Sequence, residues 1–246
     1  MKKYLKNILL DLGLYYKIKK KNKFYYFKNF YSNFLNKNSI VFEVGANVGD
    51  KTEILSSIAK KVYAFEPAPN CLKHLYSRFN KKSNVQIIPL GISNQKGISI
   101  LYISDYHTMN TLSTQFIDNV TKNFSFKPNW NQQIEIHTTT LDDFIKESIK
   151  PDYIKLDIEG HEIYALKGLS IPIPIISFEM TPTLKENAIE CIDYILNLSD
   201  SYKFNITLEE SAVFYFSNLV TVDQIKTFIL EKENLPFGDI YAFLSQ

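Results

Sequence analysis

Short runs of β-branched and aromatic residues alternate with amphipathic helical patterns from Ser39 onward. This alternation is typical of a parallel sheet that is covered by helices on both faces. The apolar runs predict five strands, at residues 40–44, 62–65, 85–88, 153–156 and 175–178. Between two of these runs, apolar side chains recur at the i, i+3, i+4, i+7 spacing of a helix, at Leu72, Leu75, Tyr76 and Phe79. We therefore predict a doubly wound α/β fold.

The C-terminal part of the chain predicts two helices and an antiparallel addition to the sheet. Thr183–Glu186 and Thr221–Gln224 both have the spacing of a capping box, so each is expected to begin a helix. Two further apolar runs, 212–216 and 240–244, predict strands with Pro236 and Gly238 between them. We expect these strands to form an antiparallel edge on the parallel sheet.

Residues 93–133 break the alternation of strands and helices. They contain a strand candidate at 97–104, a polar stretch at 108–113 and an aromatic stretch with Phe124, Phe126 and Trp130. An insertion on the carboxyl side of such a sheet is where a lid over a binding site would lie. The alternative is an ordinary excursion that packs on the domain.

The N-terminal residues 1–38 carry most of the positive charge. They hold ten Lys and one Asp, whereas the remainder holds 18 basic and 25 acidic residues. Apolar side chains recur there at helical spacing, at Tyr4, Leu5, Ile8, Leu9, Leu12, Tyr15 and Tyr16. A lysine-rich run, 17–23, then interrupts the pattern. We predict a helical extension that packs on the main domain and keeps its lysines in water. The alternative is a basic element that associates weakly with an anionic membrane surface.

Composition excludes several other classes of protein. The chain has 246 residues, 45% of them apolar, which is enough for one large domain with a core. The longest apolar run, Ala212–Phe216, is far shorter than the roughly 20 residues that cross a bilayer. No secretory leader pattern is present, so we expect a cytoplasmic protein. Cys71 and Cys191 form no CxxC pair and are expected to be buried thiols. Arg78 is the single arginine, which argues against a nucleic-acid partner and, with abundant Asn and Ile, suggests an AT-rich bacterial genome.

The most informative motif follows the first predicted strand, at Glu43–Asp50, and contains Gly45 and Gly49. Glycines at such a turn let the backbone approach a ligand closely. The spacing is not the GxGxxG of dinucleotide sites, and Glu43 would repel a phosphate. Glu66 closes the second strand, where a carboxylate can accept hydrogen bonds from ribose hydroxyls. S-adenosylmethionine has a sulfonium, an ammonium and a ribose, and it fits this pattern better than NAD.

Four motifs in this order resemble the FkbM family of class I S-adenosylmethionine-dependent methyltransferases. They are Glu43–Thr52, Ala64–Pro69, Thr140–Phe144 and Asp152–Gly168, and the resemblance covers residues 39–182. It implies a Rossmann-like, seven-stranded, mostly parallel sheet in a domain that spans residues 39–246. It also implies methyl transfer from S-adenosylmethionine, most often to a hydroxyl oxygen of a sugar or natural product.

The resemblance also implies a set of cofactor contacts. Glu43, Gly45, Asn47 and Gly49 are assigned to the methionine end, and Glu66 is assigned to the ribose. The turn after the third strand is assigned to the adenine, although it lacks an acidic residue for the adenine amino group. The full cofactor set is Glu43, Gly45, Ala46, Asn47, Gly49, Thr52, Glu66, Pro67, Gly91, Ser93, Asp157 and Glu159.

The chemistry of methyl transfer to a hydroxyl requires alignment of the reactants and a base that removes the hydroxyl proton. Strand alternation places Lys155, Asp157 and Glu159 on one side of the fourth predicted strand. We predict Asp157 as the base or acceptor-orienting group, and the alternative is an ion pair with Lys155 while Glu159 caps the next helix. The remaining candidates for catalysis are His161 and Glu179.

The methyl acceptor is the least readable part of the site. We expect a sugar, nucleotide-sugar or glycan precursor, such as one for a bacterial capsule or other surface polysaccharide. A nitrogen or a small phosphorylated metabolite is an alternative acceptor, and an NAD-dependent oxidoreductase or a non-catalytic cofactor-binding module is the alternative from another class. Asp157 and Glu159 make a sparse Mg²⁺ site, so no metal is expected. The sequence does not predict the oligomeric state.

Overall fold

The structure is a computed structural model that describes residues 14–245, with side chains from Asn22 onward. Its α-helices are α1 (Leu14–Tyr31), α2 (Asp50–Ser56), α3 (Pro69–Phe79), α4 (Thr114–Asn123), α5 (Leu141–Glu147), α6 (Glu162–Lys167), α7 (Lys185–Leu198) and α8 (Val222–Glu231). Its strands are β1 (Ile40–Val44), β2 (Lys61–Phe65), β3 (Val85–Ile88), β4 (Gly91–Ile92), β5 (Gly97–Ile103), β6 (Gln132–Thr139), β7 (Tyr153–Leu156), β8 (Ile175–Met180), β9 (Tyr202–Leu208) and β10 (Gly238–Leu244). Single 3₁₀ turns occur at His107–Met109 and Pro182–Leu184.

A seven-stranded sheet in the order β3-β2-β1-β7-β8-β10-β9 organises the fold. Its strands are parallel except β10, which runs antiparallel to both β8 and β9. All five predicted strands are present, and the predicted α/β class with a mostly parallel sheet is confirmed. On β1, Phe42 and Val44 pack into the core on one face and Val41 into the core on the other. Burial on both faces explains why these strands are almost continuously apolar.

The predicted antiparallel addition at the C-terminus is present, and the predicted strand at 240–244 is β10. The second strand of this addition differs from the prediction. Residues 212–216 form no strand; Phe214 instead packs its ring 4.9 Å from that of Phe30. The edge strand is β9, which the apolar pattern misses because it contains polar residues that are buried. One of them, Asn205, donates hydrogen bonds to the carbonyl oxygens of Phe216 and Asn218. The antiparallel strand β10 lies between β8 and β9, one position inside the edge.

The two predicted capping boxes have different outcomes. Thr221 and Gln224 form a complete capping box at the start of α8, as predicted. The capping box at Thr183 is wrong, because Pro182 begins a 3₁₀ turn there and α7 starts only at Lys185. The Thr183 hydroxyl instead donates a hydrogen bond to Asn119.

The described part of the N-terminal extension is the helix α1. This helix continues through the lysine-rich run 17–23, because lysine has a good helix propensity even where the apolar pattern is interrupted. Its C-terminal turns bury Phe27, Phe30 and Tyr31 against the sheet face that also holds Val41. The apolar positions from Tyr4 to Leu12 lie outside the described residues. None of the helices in the described part of the chain is long and apolar enough to cross a membrane.

The segment between β3 and α5 forms a second, smaller sheet beside the main one. Its order is β4-β6-β5, with β5 and β6 paired antiparallel. The helix α4 lies between β5 and β6 in the chain, and the Ser113 side chain caps its first turn. Both cysteines, Cys71 and Cys191, are free and buried, as predicted.

Candidate active site

A cavity of about 250 Å³ opens at the carboxyl ends of β1, β2, β7 and β8. Two groups of residues line it. One group lies in turns after the strands and is held mainly by backbone contacts, and the other consists of carboxylate side chains. The lining residues are Val44, Gly45, Asn47, Phe65, Glu66, Pro67, Leu90, Gly91, Ile92, Leu101, His107, Thr108, Asn110, Thr111, Leu112, Asp157, Ile158, Glu159, Glu179 and Glu210. Six of the predicted site residues outside the catalytic set therefore meet at this edge, together with Asp157 and Glu179.

The glycine turn after β1 is wedged between its two neighbouring strands. The backbone N–H groups of Gly45 and Ala46 donate to the carbonyl oxygen of Phe65, at 3.0 and 2.9 Å. Gly45 has φ +88°, and a Cβ at this position would lie 1.9 Å from the carbonyl oxygen of Asp157. Only glycine fits this position without movement of the backbone. The missing Cβ therefore lets this turn pack directly against the backbone at the end of β7, where both line the cavity.

Glu66 holds the turn while facing the cavity. Its two carboxylate oxygens accept hydrogen bonds from the backbone N–H groups of Asn47 and Ala68, each at 2.8 Å. Burial raises the pKa of Glu66 to about 7, although these two hydrogen bonds act in the opposite direction. Each carboxylate oxygen has a second lone pair. These lone pairs can accept hydrogen bonds from two neighbouring hydroxyls of a ribose.

Several predicted cofactor residues support the turn without lining the cavity. Glu43 is buried beneath it and accepts a hydrogen bond from the Thr52 hydroxyl at 2.7 Å. Burial raises the pKa of Glu43 to about 7. On β1, Glu43 points away from the face of Val44, which does line the cavity. Ala46 is buried in the same turn, and Gly49, with φ +87°, begins α2 close to the Phe79 ring.

The turn after β3 contributes an apolar wall. Leu90, Gly91 and Ile92 line the cavity, which is where the resemblance assigns the adenine. Ser93 faces away from the cavity lining, and its hydroxyl lies 3.1 Å from Nε2 of His161. Burial lowers the pKa of His161 to about 4, so its ring is neutral near pH 7. His161 also stacks on Tyr164 and is not among the lining residues.

Lys155 and Asp157 form an ion pair at the end of β7. The Lys155 side chain is only 2% exposed, and its Nζ donates to Oδ2 of Asp157 at 2.5 Å. Burial alone would lower the pKa of Lys155, but Asp157 and Asp239 outweigh burial and hold it well above its ordinary value. Asp157 is 34% exposed and lines the cavity. The ion pair that the sequence offered as an alternative is thus present, and it belongs to the cavity wall.

Glu159 and Glu179 complete a group of three carboxylates with Asp157. One oxygen from each lies within 4.8 Å of the others, a spacing that could hold a metal ion. The pKa of both glutamates is raised well above the ordinary value by burial and by the neighbouring carboxylates. Glu159 has φ +53° and does not cap α6. The N-cap residue of α6 is His161, which makes no side-chain cap hydrogen bond. Glu162 instead holds the turn before α6, because its Oε1 accepts from the N–H groups of Ile158 and Gly160.

The sequence did not single out three lining residues. His107 lies with Nδ1 2.7 Å from Oδ1 of Asn47, and Thr111 donates its hydroxyl to the carbonyl oxygen of Glu159 at 2.7 Å. Both belong to the insertion, where the polar stretch 108–113 was the available signal. Glu210, in the loop after β9, forms an ion pair with Lys23 of α1. No local pattern marks Glu210, because it reaches the site only through the fold.

A doubly wound sheet with a glycine turn after β1 and a carboxylate after β2 defines a class of α/β proteins that bind a nucleoside at this edge. Within that class, the chain belongs to the FkbM methyltransferase family. The model of the methyltransferase FkbM domain matches residues 43–232. This match confirms the resemblance found in the sequence.

Two curated relatives and one solved structure illustrate the similarity. The hexuronic acid methyltransferase AglP of Haloferax volcanii is 27% identical over 143 residues, 56% of this chain and 53% of that protein. A probable ribosomal RNA small subunit methyltransferase A of Methanosarcina barkeri is 45% identical over 49 residues, 20% of this chain and 17% of that protein. The chain therefore spans about half the length or less of these relatives.

The solved structure supports the fold. The crystal structure of methyltransferase FkbM from Methylobacillus flagellatus superposes with a TM-score of 0.51 at 17% identity. The superposition covers 84% of this chain and 44% of that one.

Proposed function

We propose that this methyltransferase transfers a methyl group from S-adenosylmethionine to a hydroxyl oxygen of a sugar, nucleotide-sugar or glycan precursor. One observation carries the proposal: the glycine turn and Glu66 meet the carboxylates of Asp157 and Glu179 in a single cavity. The name of the Haloferax relative, a hexuronic acid methyltransferase, supports a sugar as acceptor.

The lining residues fit the proposed cofactor. The backbone of the glycine turn lines the cavity at Gly45 and suits the amino-acid end of the cofactor, and Glu66 has lone pairs for its ribose hydroxyls. Leu90 and Ile92 supply apolar contacts for the adenine ring. When bound, S-adenosylmethionine supplies a methyl group on a positively charged sulfur. Glu43, Thr52 and Gly49 act in this proposal by holding the turn in place.

The chain must position the acceptor hydroxyl and remove its proton. We assign the proton to the Asp157 carboxylate, because Asp157 lines the cavity and is held in place there by its ion pair with Lys155. The proton of the acceptor hydroxyl would pass to Asp157 while the hydroxyl oxygen takes the methyl carbon from sulfur, and the electron pair of the broken carbon–sulfur bond would leave with S-adenosylhomocysteine. Glu179 orients neighbouring hydroxyls, and the 107–112 segment limits access of water. His161 is assigned a supporting role through Ser93.

Calorimetry and a labelled-methyl assay test this proposal on the full chain. We expect S-adenosylhomocysteine to bind and NAD not to bind. Candidate acceptors incubated with methyl-labelled S-adenosylmethionine should acquire label in an alkali-stable ether. Binding of NAD without binding of S-adenosylhomocysteine would instead support the oxidoreductase alternative, and label on nitrogen would exclude transfer to oxygen.

A further inference from the structure

The glycine turn after β1 has an unusual backbone. Three of its residues, Gly45, Asn47 and Gly49, have positive φ angles of +88°, +52° and +87°. Asn47 is the one among them with a Cβ, and a residue with a side chain keeps such a conformation only where its surroundings hold it. The Asn47 N–H donates to Glu66, and both residues line the cavity. A contact that fixes the backbone between Asn47 and Gly49 therefore also fixes the part of the cavity proposed for the cofactor.

The Arg78 guanidinium makes such a contact from outside the cavity. Its Nη1 donates to the carbonyl oxygen of Val48 at 2.5 Å and to Oδ1 of Asp50 at 2.8 Å. Its Nη2 donates to Oε2 of Glu53 at 2.7 Å. One guanidinium thus joins the glycine turn to the first turn of α2, and Arg78 itself does not line the cavity.

The last turn of α3 supports the same backbone by packing. The Phe79 ring occupies the space that a Cβ on Gly49 would fill, and its Cε2 lies 2.4 Å from that position. The guanidinium carbon of Arg78 lies 5.3 Å from the centre of the Phe79 ring, within the range of a cation–π contact. Two adjacent side chains of α3 therefore hold two adjacent residues of the glycine turn.

The presence of arginine at this position is informative. Arg78 is the single arginine among 28 basic residues, and the others are all lysines. A lysine ammonium is a single point of positive charge, whereas a guanidinium offers five N–H donors in a rigid plane. The acceptors of Arg78 on the turn and on α2 are divided between its two terminal nitrogens. This set of contacts needs the planar fork of a guanidinium.

We propose that Arg78 is a positioning residue for S-adenosylmethionine, which acts through the Val48 carbonyl group on the glycine turn. When this contact is lost, the Asn47 N–H and Glu66 no longer keep the arrangement that the cofactor requires. This inference rests on the proposed function, because it takes the cofactor to lie against this turn. A merely structural role of Arg78 would lower the stability of the fold and leave the cofactor affinity unchanged.

Two substitutions of Arg78 test the effect on cofactor affinity. In the full chain, Arg78→Met should bind S-adenosylhomocysteine at least about tenfold more weakly than the unaltered protein, because the charged hydrogen bond to Val48 is lost. Arg78→Lys keeps the charge but not the fork, so we expect a smaller loss of about threefold. Calorimetry measures both affinities at a temperature where circular dichroism shows folded protein. Arg78→Lys also serves if Arg78→Met does not fold. Unchanged affinity in the folded variants overturns the proposal.

Two control variants separate positioning from general stability. Glu53→Gln removes the ion pair with Arg78 but leaves the contact with the Val48 carbonyl. Lys226→Met removes an ion pair between α8 and α7, and the Lys226 side chain is 25% exposed, as is that of Arg78. Both variants should keep the affinity for S-adenosylhomocysteine within about twofold, although they lose some stability. An equal loss of affinity in Glu53→Gln and Arg78→Met would assign the effect to the ion pair and would overturn the role of the carbonyl contact.

Amide hydrogen exchange tests the turn without any ligand. In Arg78→Met, the Asn47 N–H should lose at least about tenfold more protection than the Val62 N–H of β2, which reports overall unfolding. Equal losses at the two amides would mean that Arg78 acts on the whole fold, and this result also overturns the proposal. If S-adenosylhomocysteine fails to bind the unaltered protein, the proposed function fails. If it binds and the Arg78 variants bind it equally well, only the inference about Arg78 fails.

Discussion

The two halves of the cavity are built by different means. The cofactor half, formed by Gly45, Asn47 and Glu66, is held by backbone hydrogen bonds and by one position with no room for a Cβ. The half that we propose for the acceptor (the acceptor half) is a cluster of the carboxyl groups of Asp157, Glu159 and Glu179, of which Asp157 is paired with Lys155. A backbone-built half is sensitive to steric change, and a charge-built half is sensitive to changes of charge. This difference suits a constant cofactor beside an acceptor that varies among relatives.

A steric change in the cofactor half should have the largest effect. Gly45→Ala would place a Cβ 1.9 Å from the carbonyl oxygen of Asp157, at a φ that disfavours side chains. We expect affinity for S-adenosylhomocysteine to fall at least about 100-fold and stability to fall by about 3 kcal/mol. Calorimetry and urea unfolding measure these effects. Gly97→Ala is the control, because a Cβ there meets nothing within 4 Å. Equal behaviour of the two variants would contradict the steric account.

A charge change in the acceptor half should separate turnover from cofactor binding. Asp157→Asn keeps the shape of the side chain but removes the proposed base, so we expect kcat to fall by about 10²–10⁴-fold. Affinity for S-adenosylhomocysteine should stay within about threefold, because the cofactor half is unaltered. The labelled-methyl assay and calorimetry report the two quantities. Asp118→Asn, on the exposed side of α4, is the matched control. Unchanged turnover in Asp157→Asn would remove this residue from the mechanism.

The pH dependence of the free energy of unfolding tests the raised pKa of Glu43, which is buried beneath the cofactor half. The pKa of Glu43 is raised from 4.5 to about 7, so the folded protein binds a proton that the unfolded chain has already released. The stability that Glu43 contributes is fully present below the pKa of the unfolded chain, and it is lost as the pH rises through the folded pKa of about 7. Between about pH 5 and 8, native stability should fall by about 2 kcal/mol more than that of Glu43→Gln. Urea unfolding at several pH values measures the slopes, with Glu147→Gln as control. Parallel slopes would mean that Glu43 does not titrate in this range.

The smallest effect is expected where the insertion supports the acceptor half. Thr111→Val removes the hydrogen bond to the carbonyl oxygen of Glu159, and it also removes the acceptor used by the Ser113 N–H. We expect the KM for the acceptor to rise about fivefold while cofactor affinity is retained. Steady-state kinetics measures KM, and the exposed Thr114→Val is the control. A weaker affinity for S-adenosylhomocysteine instead would place Thr111 with the cofactor half.

The cofactor half could be predicted from the sequence, because its parts are local. Gly45 and Glu66 each follow a strand that its own apolar run predicts. The carboxyl ends of parallel strands meet at one edge, so such residues can be brought together without knowledge of the remaining chain. The argument from strand ends also placed Asp157 and Glu179 at this edge, and both line the cavity. It did not reveal that the side chains of Glu43 and Ser93 contact Thr52 and His161 and do not line the cavity.

The residues that the sequence missed depend on long-range packing. Glu210 and Lys23 meet across 187 positions of the chain, and His107 reaches Asn47 across 60. The edge strand β9 was missed because it contains buried polar residues such as Asn205, whose amide donates to carbonyl groups 11 and 13 positions further along the chain. Local patterns cannot reveal such partners, because the hydrogen bonds that permit burial form only in the folded chain.

By itself, the sequence determined the α/β class, the glycine turn after β1 with the acid that follows β2, and the membership of a methyltransferase family. These features follow from periodicity and from backbone conformations that only certain residues adopt. The tertiary structure alone decided that β10 is inserted between β8 and β9, that Glu162 rather than Glu159 holds the turn before α6, and that Glu159 and Glu179 meet without a cation. Each of these depends on which buried charge or hydrogen-bonding group meets which partner, and that pairing is set by packing across the whole domain.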